Sequence, residues 1–192
     1  MTRPRFNHRP WIIVVAAGAL GLLGGAALDY WQRERAARAV AETAAAEIER
    51  PDVIGTRRPE VRGRGLDGDE RTLAAYDGRV ILLNFWATWC PPCVEEIPAL
   101  MALQDRLGPE GLQVVGLALD EFEATREFAA ELDIDYPVLV GGESAFAVAE
   151  RFGNLPATLP YTAVIDRDGV IRAVHRGALT REEAARLVEP LL

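Results

Sequence analysis

Hydrophobic residues form runs of different lengths along this chain, and the length and spacing of each run predict an element. After residue 60, apolar runs of strand length alternate with stretches of helical spacing. Continuous apolar runs of this kind are typical of strands that are buried on both faces of a sheet. The predicted strands are 79–86, 112–119, 136–140, 161–166 and 170–175, and the predicted helices are 91–107, 121–132, 144–152 and 180–192.

Short polar signals mark where these elements turn or begin. Asp67-Gly68 and Asp168-Gly169 are tight-turn pairs, and each of them predicts a hairpin. Thr180 and Glu183 have the spacing of a capping box at the start of the last helix. Strands and helices that alternate and then end in a hairpin and a helix predict the α/β class, with a mixed sheet covered on both faces.

The longest apolar run lies near the start of the chain, at 11–28, and contains no charged residue. As a helix it would span about 27 Å, which is close to the thickness of a bilayer's hydrocarbon core. The alternative is a cleaved signal peptide with Gly25-Ala26-Ala27 as its cleavage site, but the run is longer than a usual signal core. Both readings export the rest of the chain. The arginines before the run place the N-terminus in the cytoplasm: Arg3, Arg5 and Arg9.

These patterns divide the chain into four segments. We predict a cytoplasmic N-terminus at 1–10, a transmembrane anchor or uncleaved signal at 11–28, a helical stalk or linker at 29–58 and a folded domain at 59–192. The formal net charge is −8, and it divides into +2 for residues 1–50 and −10 for the remainder. This acidic excess argues against a nucleic-acid partner, because nucleic-acid binding depends on basic side chains.

The chain has two cysteines, Cys90 and Cys93, which are separated by Pro91 and Pro92 at the predicted junction of a strand and a helix. A thiol at a helix N-terminus lies at the positive end of the helix dipole, which lowers its pKa and favours the nucleophilic thiolate. Prolines are tolerated in the first helical turn because the N–H groups there lack partners within the helix. We therefore predict that Cys90 is the attacking thiol and Cys93 the resolving thiol of a redox pair.

Three other uses of this pair are weaker predictions. A structural disulfide across two residues would restrict little chain entropy. Zinc requires four ligands, whereas His8 and His175 lie far from the cysteines in sequence. A copper site of the Cys-x-x-x-Cys type would require one more spacer residue. The sequence therefore predicts no metal ligand.

The segment from Phe85 to Cys93, FWATWCPPC, resembles the signature of thioredoxin-like proteins, and specifically that of the membrane-anchored TlpA/ResA-like reductases. The likeness continues through VEEIP after Cys93 and through LPYTAVID at 159–166. It covers roughly residues 59–190. The resemblance implies a thioredoxin-like mixed sheet flanked by helices.

The resemblance also implies roles for residues outside the cysteine pair. Pro160 matches the family's cis-proline, which packs beside the two sulfurs; Pro156 is the rival candidate, but Pro160 directly precedes a strand. The backbone of Leu159 would then pair with an extended segment of the substrate. Trp89 flanks the first thiol and is expected to form part of the docking surface, whereas Trp86 is expected in the core.

The sequence departs from thioredoxin itself at position 84. Thioredoxin has a buried aspartate there that acts in proton transfer to the second cysteine, whereas this chain has Asn84, which does not titrate. Glu95 and Glu96 are expected to be ordinary acids of the first helical turn, where they complement the helix dipole. The sequence therefore leaves the proton acceptor for Cys93 unassigned.

The activity that the resemblance implies is the reduction of disulfides in partner proteins by thiol–disulfide exchange, which needs no cofactor. The implied partners are exported protein substrates and a membrane electron donor of the DsbD/CcdA type, in cytochrome c maturation or respiratory oxidase assembly. The catalytic domain would lie on the periplasmic side of a bacterial inner membrane, held by a single span. Three alternatives remain: a thiol oxidase or isomerase, a thiol peroxidase, and a copper-handling binding module.

Overall fold

The computed structural model describes residues 31–32, 34–35, 53–155 and 157–192. The chain forms two compact units, Met1–Glu49 and Arg50–Leu192. The described residues of the first unit are helical. The predicted membrane segment at 11–28 lies outside the described residues, as does most of the predicted linker. Across the part of the chain that is described, no helix has both the length and the apolar character needed to cross a bilayer.

The second unit is built on a mixed sheet of seven strands: β1 Arg62–Gly65, β2 Glu70–Thr72, β3 Val80–Trp86, β4 Leu112–Ala118, β5 Val138–Val140, β6 Tyr161–Ile165 and β7 Ile171–Arg176. Their order in the sheet is β2-β1-β5-β4-β3-β6-β7. The central strands β3, β4 and β5 are parallel to one another, and every other neighbouring pair is antiparallel. Parallel central strands are buried on both faces because the connecting helices cover them.

Four helices cover the two faces of this sheet: α1 Pro91–Leu107, α2 Phe122–Glu131, α3 Ser144–Arg151 and α4 Arg181–Val188. Apolar residues of α1 and α4 pack with one set of strand residues, and Phe122 and Phe128 of α2 join them. We call this the α1 face. The opposite face is covered by α3 and carries the aromatic residues Phe85, Phe152 and Tyr161, so we call it the aromatic face.

Strand β3 lies at the centre of the fold, and all seven of its residues are buried. Alternate residues point to opposite faces, so Leu82 and Trp86 join the α1 face while Leu83 and Phe85 join the aromatic face. Asn84 is the single polar residue of this strand. Because this residue is buried, its amide has to find hydrogen-bond partners within the core.

The elements predicted from the hydrophobic pattern agree closely with the observed ones, and helix α1 has the predicted bounds. Both Asp-Gly turns are present, and the glycine φ angles are 91° for Gly68 and 79° for Gly169. The Thr180–Glu183 capping box is also confirmed. The last helix ends at Val188 rather than running to the C-terminus, because Pro190 has no N–H to continue the α-helical hydrogen bonds, and Glu189–Leu191 form a 3-10 turn instead.

Residues 53–58, which the sequence analysis assigns to the end of the linker, lie against strand β7. The Gly55 N–H donates to Ile171 O at 2.8 Å, and Arg57 pairs with Val170 in an isolated bridge. Val53 is buried on the aromatic face. The folded unit therefore includes this segment.

Candidate redox site

The site begins where β3 ends and α1 starts. Cys90 is the N-cap residue of α1, and its sulfur is bonded to that of Cys93 at 2.09 Å, with 5.3 Å between the Cα atoms. Cys90 is 5% exposed and Cys93 is fully buried. An external disulfide can therefore reach the first sulfur more easily than the second.

The backbone at the start of α1 offers few free donors to the sulfur of Cys90. Pro91 and Pro92 have no N–H, while the N–H groups of Cys93 and Val94 both donate to Cys90 O, at 3.0 and 3.2 Å. These four residues therefore leave no backbone N–H free for the sulfur in the first turn. The favourable electrostatic effect on a thiolate comes from the helix dipole as a whole.

Asp120, which follows β4, holds the loop that leads to Cys90. One oxygen of its carboxylate accepts hydrogen bonds from the N–H and the hydroxyl of Thr88, at 3.0 and 2.5 Å. The other oxygen accepts from the Glu121 N–H at 2.8 Å. Hydrogen bonds to an ionised acceptor are stronger than neutral ones, so this carboxylate fixes the loop against the end of β4.

The peptide bond between Leu159 and Pro160 is cis, as the resemblance implies. Strand β6 begins at the next residue and runs antiparallel to β3, with Tyr161 opposite Phe85. The start of β6 therefore lies beside the end of β3, where the cysteine loop begins. Among the described residues, neither the N–H nor the C=O of Leu159 has a hydrogen-bond partner, so both are free to pair with an added extended segment.

The loop before the cis bond is fixed from inside the protein. Asn154 is fully buried, and its side chain donates to Thr158 O at 2.9 Å and accepts from the Thr158 hydroxyl at 3.2 Å. The hydroxyl of Tyr161 donates to Phe152 O at 2.6 Å. These bonds hold the segment that presents Leu159, and sequence reasoning did not find them because bonds within an irregular loop leave no periodic pattern.

The two tryptophans near the cysteines have opposite environments. Trp89 is 62% exposed beside Cys90, which is unusual for so large an apolar side chain and is typical of a contact surface. Trp86 is fully buried and packs near Phe128, with ring centroids 6.0 Å apart. The prediction that Trp86 belongs to the core is confirmed.

The expectation that Glu96 is an ordinary acid of the first turn is wrong. Glu96 is only 2% exposed, whereas Glu95 is exposed as expected. One oxygen of the Glu96 carboxyl group accepts from Asn84 Nδ2 at 2.7 Å, and the other accepts from the Leu179 N–H at 2.8 Å. Asn84 Nδ2 also donates to the Thr162 hydroxyl at 3.2 Å. The acid therefore belongs to a buried polar cluster one helical turn after Cys93.

Burial raises the pKa of Glu96 to about 7, against an opposing effect of the hydrogen bonds from Leu179 and Asn84. A carboxyl group with a pKa near neutrality can take up and release a proton during a reaction. The neighbouring amide suits this change, because an amide can donate to a carboxylate and, when turned over, accept from a carboxylic acid. Asn84 can therefore pair with Glu96 in either protonation state.

A sequence signal for the burial of Glu96 does exist. On a helix, residues three or four positions apart lie on one face, and Glu96 has this spacing from both Cys93 and Leu100. The preference for acids in the first helical turn competes with this signal and predicts an exposed side chain instead. The contact with Leu179 lies 83 positions away, so the sequence pattern could not resolve the competition.

Comparison with known proteins agrees with this geometry. The family model described as Redoxin matches residues 54–189. The chain is 32% identical to the thiol-disulfide oxidoreductase ResA of Bacillus thuringiensis subsp. konkukian over 133 residues, which cover 68% of this chain and 73% of that protein. It is also 32% identical over 133 residues to the thioredoxin-like protein YneN of Bacillus subtilis, covering 67% of this chain and 75% of that one.

Among solved structures, a thiol:disulfide interchange protein of the thioredoxin family from Chlorobium tepidum matches with a TM-score of 0.64 and 27% identity. The match covers 73% of this chain and 98% of that chain. The fold of the present chain and its bonded pair Cys90–Cys93 agree with the activity named for its sequence relatives. The chain therefore belongs to the Redoxin family and is a thioredoxin-like thiol-disulfide oxidoreductase of the ResA type.

Proposed function

We propose that this protein reduces disulfides of exported proteins, with Cys90 as the attacking thiol and Cys93 as the resolving thiol. The observation that carries the proposal is the bonded pair at the start of α1, in which Cys90 retains some exposure and Cys93 has none. The N-terminus of α1 favours the thiolate of Cys90, and the thiolate is the nucleophile in exchange.

The exchange proceeds in two balanced steps. The Cys90 thiolate attacks one sulfur of the substrate disulfide, which forms a mixed disulfide and releases the other substrate sulfur as a thiolate. The Cys93 thiolate then attacks the sulfur of Cys90, which releases the second substrate thiolate and leaves the Cys90–Cys93 disulfide. Two electrons pass from the protein to the substrate, so a dithiol donor must reduce the protein again before the next cycle.

Glu96 supplies the proton acceptor that the sequence analysis left unassigned. Cys93 is fully buried and needs to lose its proton before it can attack. The Glu96 carboxylate lies one turn further along the same helix, and its pKa of about 7 matches the task at neutral pH. Asn84 then holds the carboxyl group in place in both protonation states.

The surface around Cys90 supports docking of an extended substrate segment. The free N–H and C=O of Leu159 can pair with the substrate backbone as an added strand. Leu159 and Pro160 directly precede β6, and they lie beside the end of β3, where the cysteine loop begins. Trp89 adds an exposed apolar surface beside the attacking sulfur.

The N-terminal sequence and the family resemblance support a proposed setting for the reaction. The proposed location is the periplasmic side of a bacterial inner membrane, with the segment 11–28 as a single-span anchor. A membrane protein of the DsbD/CcdA type is the proposed donor, because an oxidising compartment needs electrons from the cytoplasm. The proposed substrates are proteins of cytochrome c maturation or respiratory oxidase assembly.

Trapping of the mixed disulfide tests the assignment of the two cysteines. In Cys93→Ser the second step cannot occur, so this variant is expected to accumulate a disulfide between Cys90 and its substrate in cells. Mass spectrometry of the reducible complex identifies the substrate. Cys90→Ser is the matched control and should trap nothing. Equal trapping by the two variants, or none by Cys93→Ser, contradicts the proposed order of attack.

The reduction potential tests the direction of exchange. A potential near that of thioredoxin, about −270 mV, favours reduction of substrates, whereas a potential near that of DsbA, about −120 mV, favours oxidation. Equilibration of the Cys90–Cys93 pair with glutathione or dithiothreitol buffers measures it. A value at the oxidising end would replace the proposed reductase by an oxidase.

A further inference from the structure

The docking of a substrate strand on Leu159 depends on the shape of the loop before it. We call this loop, which leads from α3 to the cis bond, the docking loop; its described residues are 153–155 and 157–159. Within it, Ala157 has a φ of 55°. A residue other than glycine adopts this left-handed conformation at an energetic cost, and the conformation persists only where the surrounding structure holds it. The docking loop therefore owes its shape to its contacts with the rest of the fold.

The start of the docking loop is bound by two residues that lie opposite each other on β6 and β7, Tyr161 and Arg176. The Tyr161 hydroxyl donates to Phe152 O at 2.6 Å, and one guanidinium nitrogen of Arg176 donates to Gly153 O at 2.9 Å. The guanidinium carbon also lies 5.4 Å from the centre of the Tyr161 ring, within the range of a cation–π contact. One cross-strand pair therefore binds two consecutive carbonyl groups.

The end of the docking loop is bound at the same place. The N–H of Gly177, the residue after β7, donates to Pro160 O at 2.9 Å. Inside the loop, the Ala157 N–H donates to Asn154 O at 2.8 Å. Of the side chains that hold the loop, that of Arg176 belongs to an exposed residue, so it can be shortened without opening a cavity in the core. Its hydrogen bond has a charged donor, which makes it stronger than a neutral one.

We propose that Arg176 is a positioning residue for the substrate: by binding Gly153 O and the ring of Tyr161, it holds the docking loop in the shape that lets Leu159 pair with an extended segment. The inference rests on the proposed function and adds a determinant of substrate affinity to it. A loop that is already ordered costs less free energy to order when the substrate binds. The effect belongs to binding rather than to exchange, because the cysteines and Glu96 are held by α1.

Arg176→Met tests the proposal, because it removes the guanidinium group and keeps an unbranched apolar side chain beside Tyr161. The full-length protein is first reduced, and a short uncharged peptide with an internal disulfide is then added at increasing concentrations. This single-turnover reaction needs no electron donor, and the uncharged peptide excludes simple charge attraction. The peptide concentration that gives half the maximal rate is expected to rise about tenfold, while the maximal rate stays within about twofold of the wild-type value.

Two controls separate the shape of the docking loop from other effects of the substitution. Hydroxyethyl disulfide has no peptide backbone that could pair with Leu159, so Arg176→Met should reduce it as fast as the wild type does. Arg172→Met removes the same charge from the other end of β7, where Arg172 pairs with Asp166. This variant should keep the wild-type half-saturation for the peptide.

Amide hydrogen exchange measures the docking loop itself, without any substrate. In the oxidised protein, the Ala157 N–H is expected to exchange about tenfold faster in Arg176→Met than in the wild type, because the loop then opens without breaking the bond to Gly153 O. Arg172→Met should leave the exchange rate of this N–H unchanged.

The proposal is overturned if Arg176→Met leaves the half-saturation for the peptide unchanged, if it slows the reduction of hydroxyethyl disulfide as much as that of the peptide, or if exchange at Ala157 keeps its wild-type rate. These readouts also separate the two proposals. A wild-type protein that reduces neither probe contradicts the proposed function, while exchange at Ala157 still decides whether Arg176 holds the loop. Normal reduction of the peptide, with the same half-saturation in Arg176→Met, keeps the function and removes the role of Arg176.

Discussion

Tyr161 and Tyr136 are both buried tyrosines, but they lie on opposite faces of the sheet and their hydroxyl groups have different surroundings. The Tyr161 hydroxyl donates to Phe152 O, and its ring packs edge-on against Phe85 with centroids 5.7 Å apart. The Tyr136 hydroxyl has no partner among the described residues, and its neighbours on the α1 face include Trp86 and the acid Glu96. One tyrosine completes a packed core, and the other borders a buried polar cluster.

The same contrast extends across the two faces. On the aromatic face the buried cluster consists of hydrophobic residues, and the hydroxyl of Tyr161 within it has a hydrogen-bond partner. The α1 face holds the cysteine pair, an acid with a raised pKa and three polar atoms that have no hydrogen-bond partner within the described part of the chain. Buried polar groups of this kind reduce stability, so their concentration on one face marks where the fold serves chemistry rather than packing. Stability and reactivity should therefore respond separately to changes on the two faces.

Phe152→Ala should produce the largest effect, and it should affect stability alone. Phe152 is fully buried on the aromatic face and packs edge-on against Phe85. Truncation of a buried phenylalanine costs about 3–5 kcal/mol of the free energy of unfolding. Urea unfolding measures this loss, and the rate of disulfide reduction per folded molecule, measured without denaturant, should be unchanged.

Phe146→Ala is the control. Phe146 lies in α3, the helix that ends just before Phe152, and its side chain is 40% exposed. Its effect should be within about 1 kcal/mol. If Phe152→Ala instead slowed the reaction of the folded protein, the aromatic face would also contribute to reactivity, and the contrast between the faces would break.

Glu96→Gln should change how stability depends on pH. The pKa of Glu96 rises from 4.5 to about 7 in the folded protein, so the folded state binds this proton more tightly than the unfolded state does. The resulting stabilisation is fully present below the unfolded pKa and is lost as the pH rises through the folded pKa. This loss amounts to about 3 kcal/mol between pH 4.5 and pH 7.

Urea unfolding at a series of pH values measures the effect on the oxidised protein. The Gln variant should lack this decline, so above neutral pH it should be more stable than the wild type. The attack by Cys93 on the mixed disulfide should be slower in this variant. Glu95→Gln changes the exposed acid next to it and should keep the wild-type pH profile. A Glu96→Gln profile parallel to that of the wild type would show that the acid titrates alike in the folded and unfolded chains.

Asp120→Asn should have the smallest effect of the three on stability. The amide provides only one acceptor oxygen where the carboxylate provides two, so either the Thr88 donors or the Glu121 N–H lose their partner. We expect a loss of about 1–2 kcal/mol in the free energy of unfolding. A loosened cysteine loop should also lower kcat for disulfide reduction, because the attacking sulfur is then held less firmly.

Glu121→Gln, at the neighbouring exposed position, is the control for removal of one negative charge from this end of the sheet. It should leave kcat and stability close to wild-type values. An equal fall in kcat for both variants would mean that charge, and not the anchoring of Thr88, is what Asp120 contributes.

The hydrophobic pattern predicted most of the sheet and helix α1 because residues close together in the sequence specify these elements. The apolar run of β3 and the helical spacing after Pro91 each lie within one element, and Asp-Gly pairs form turns wherever they are placed. The positions of the two cysteines in their helix followed for the same reason. The cis bond at Pro160 followed from the resemblance to a family rather than from the residues alone.

The contacts that build the rest of the site are long-range. Glu96 meets Leu179 across 83 positions and Asn84 across 12, while Asp120 meets Thr88 across 32. No periodicity within one segment specifies such contacts, because they depend on how the elements pack. For Glu96 the local rule for first-turn acids even pointed to the wrong environment.

The sequence by itself determined which residues carry the redox chemistry, since two cysteines around two prolines at the start of a helix define the reactive pair from local geometry. Only the tertiary structure decided which acid is buried one helical turn after that pair and which polar groups it meets there. The physical reason is that burial and hydrogen bonding set the pKa of a carboxyl group, and both arise when separate elements come together.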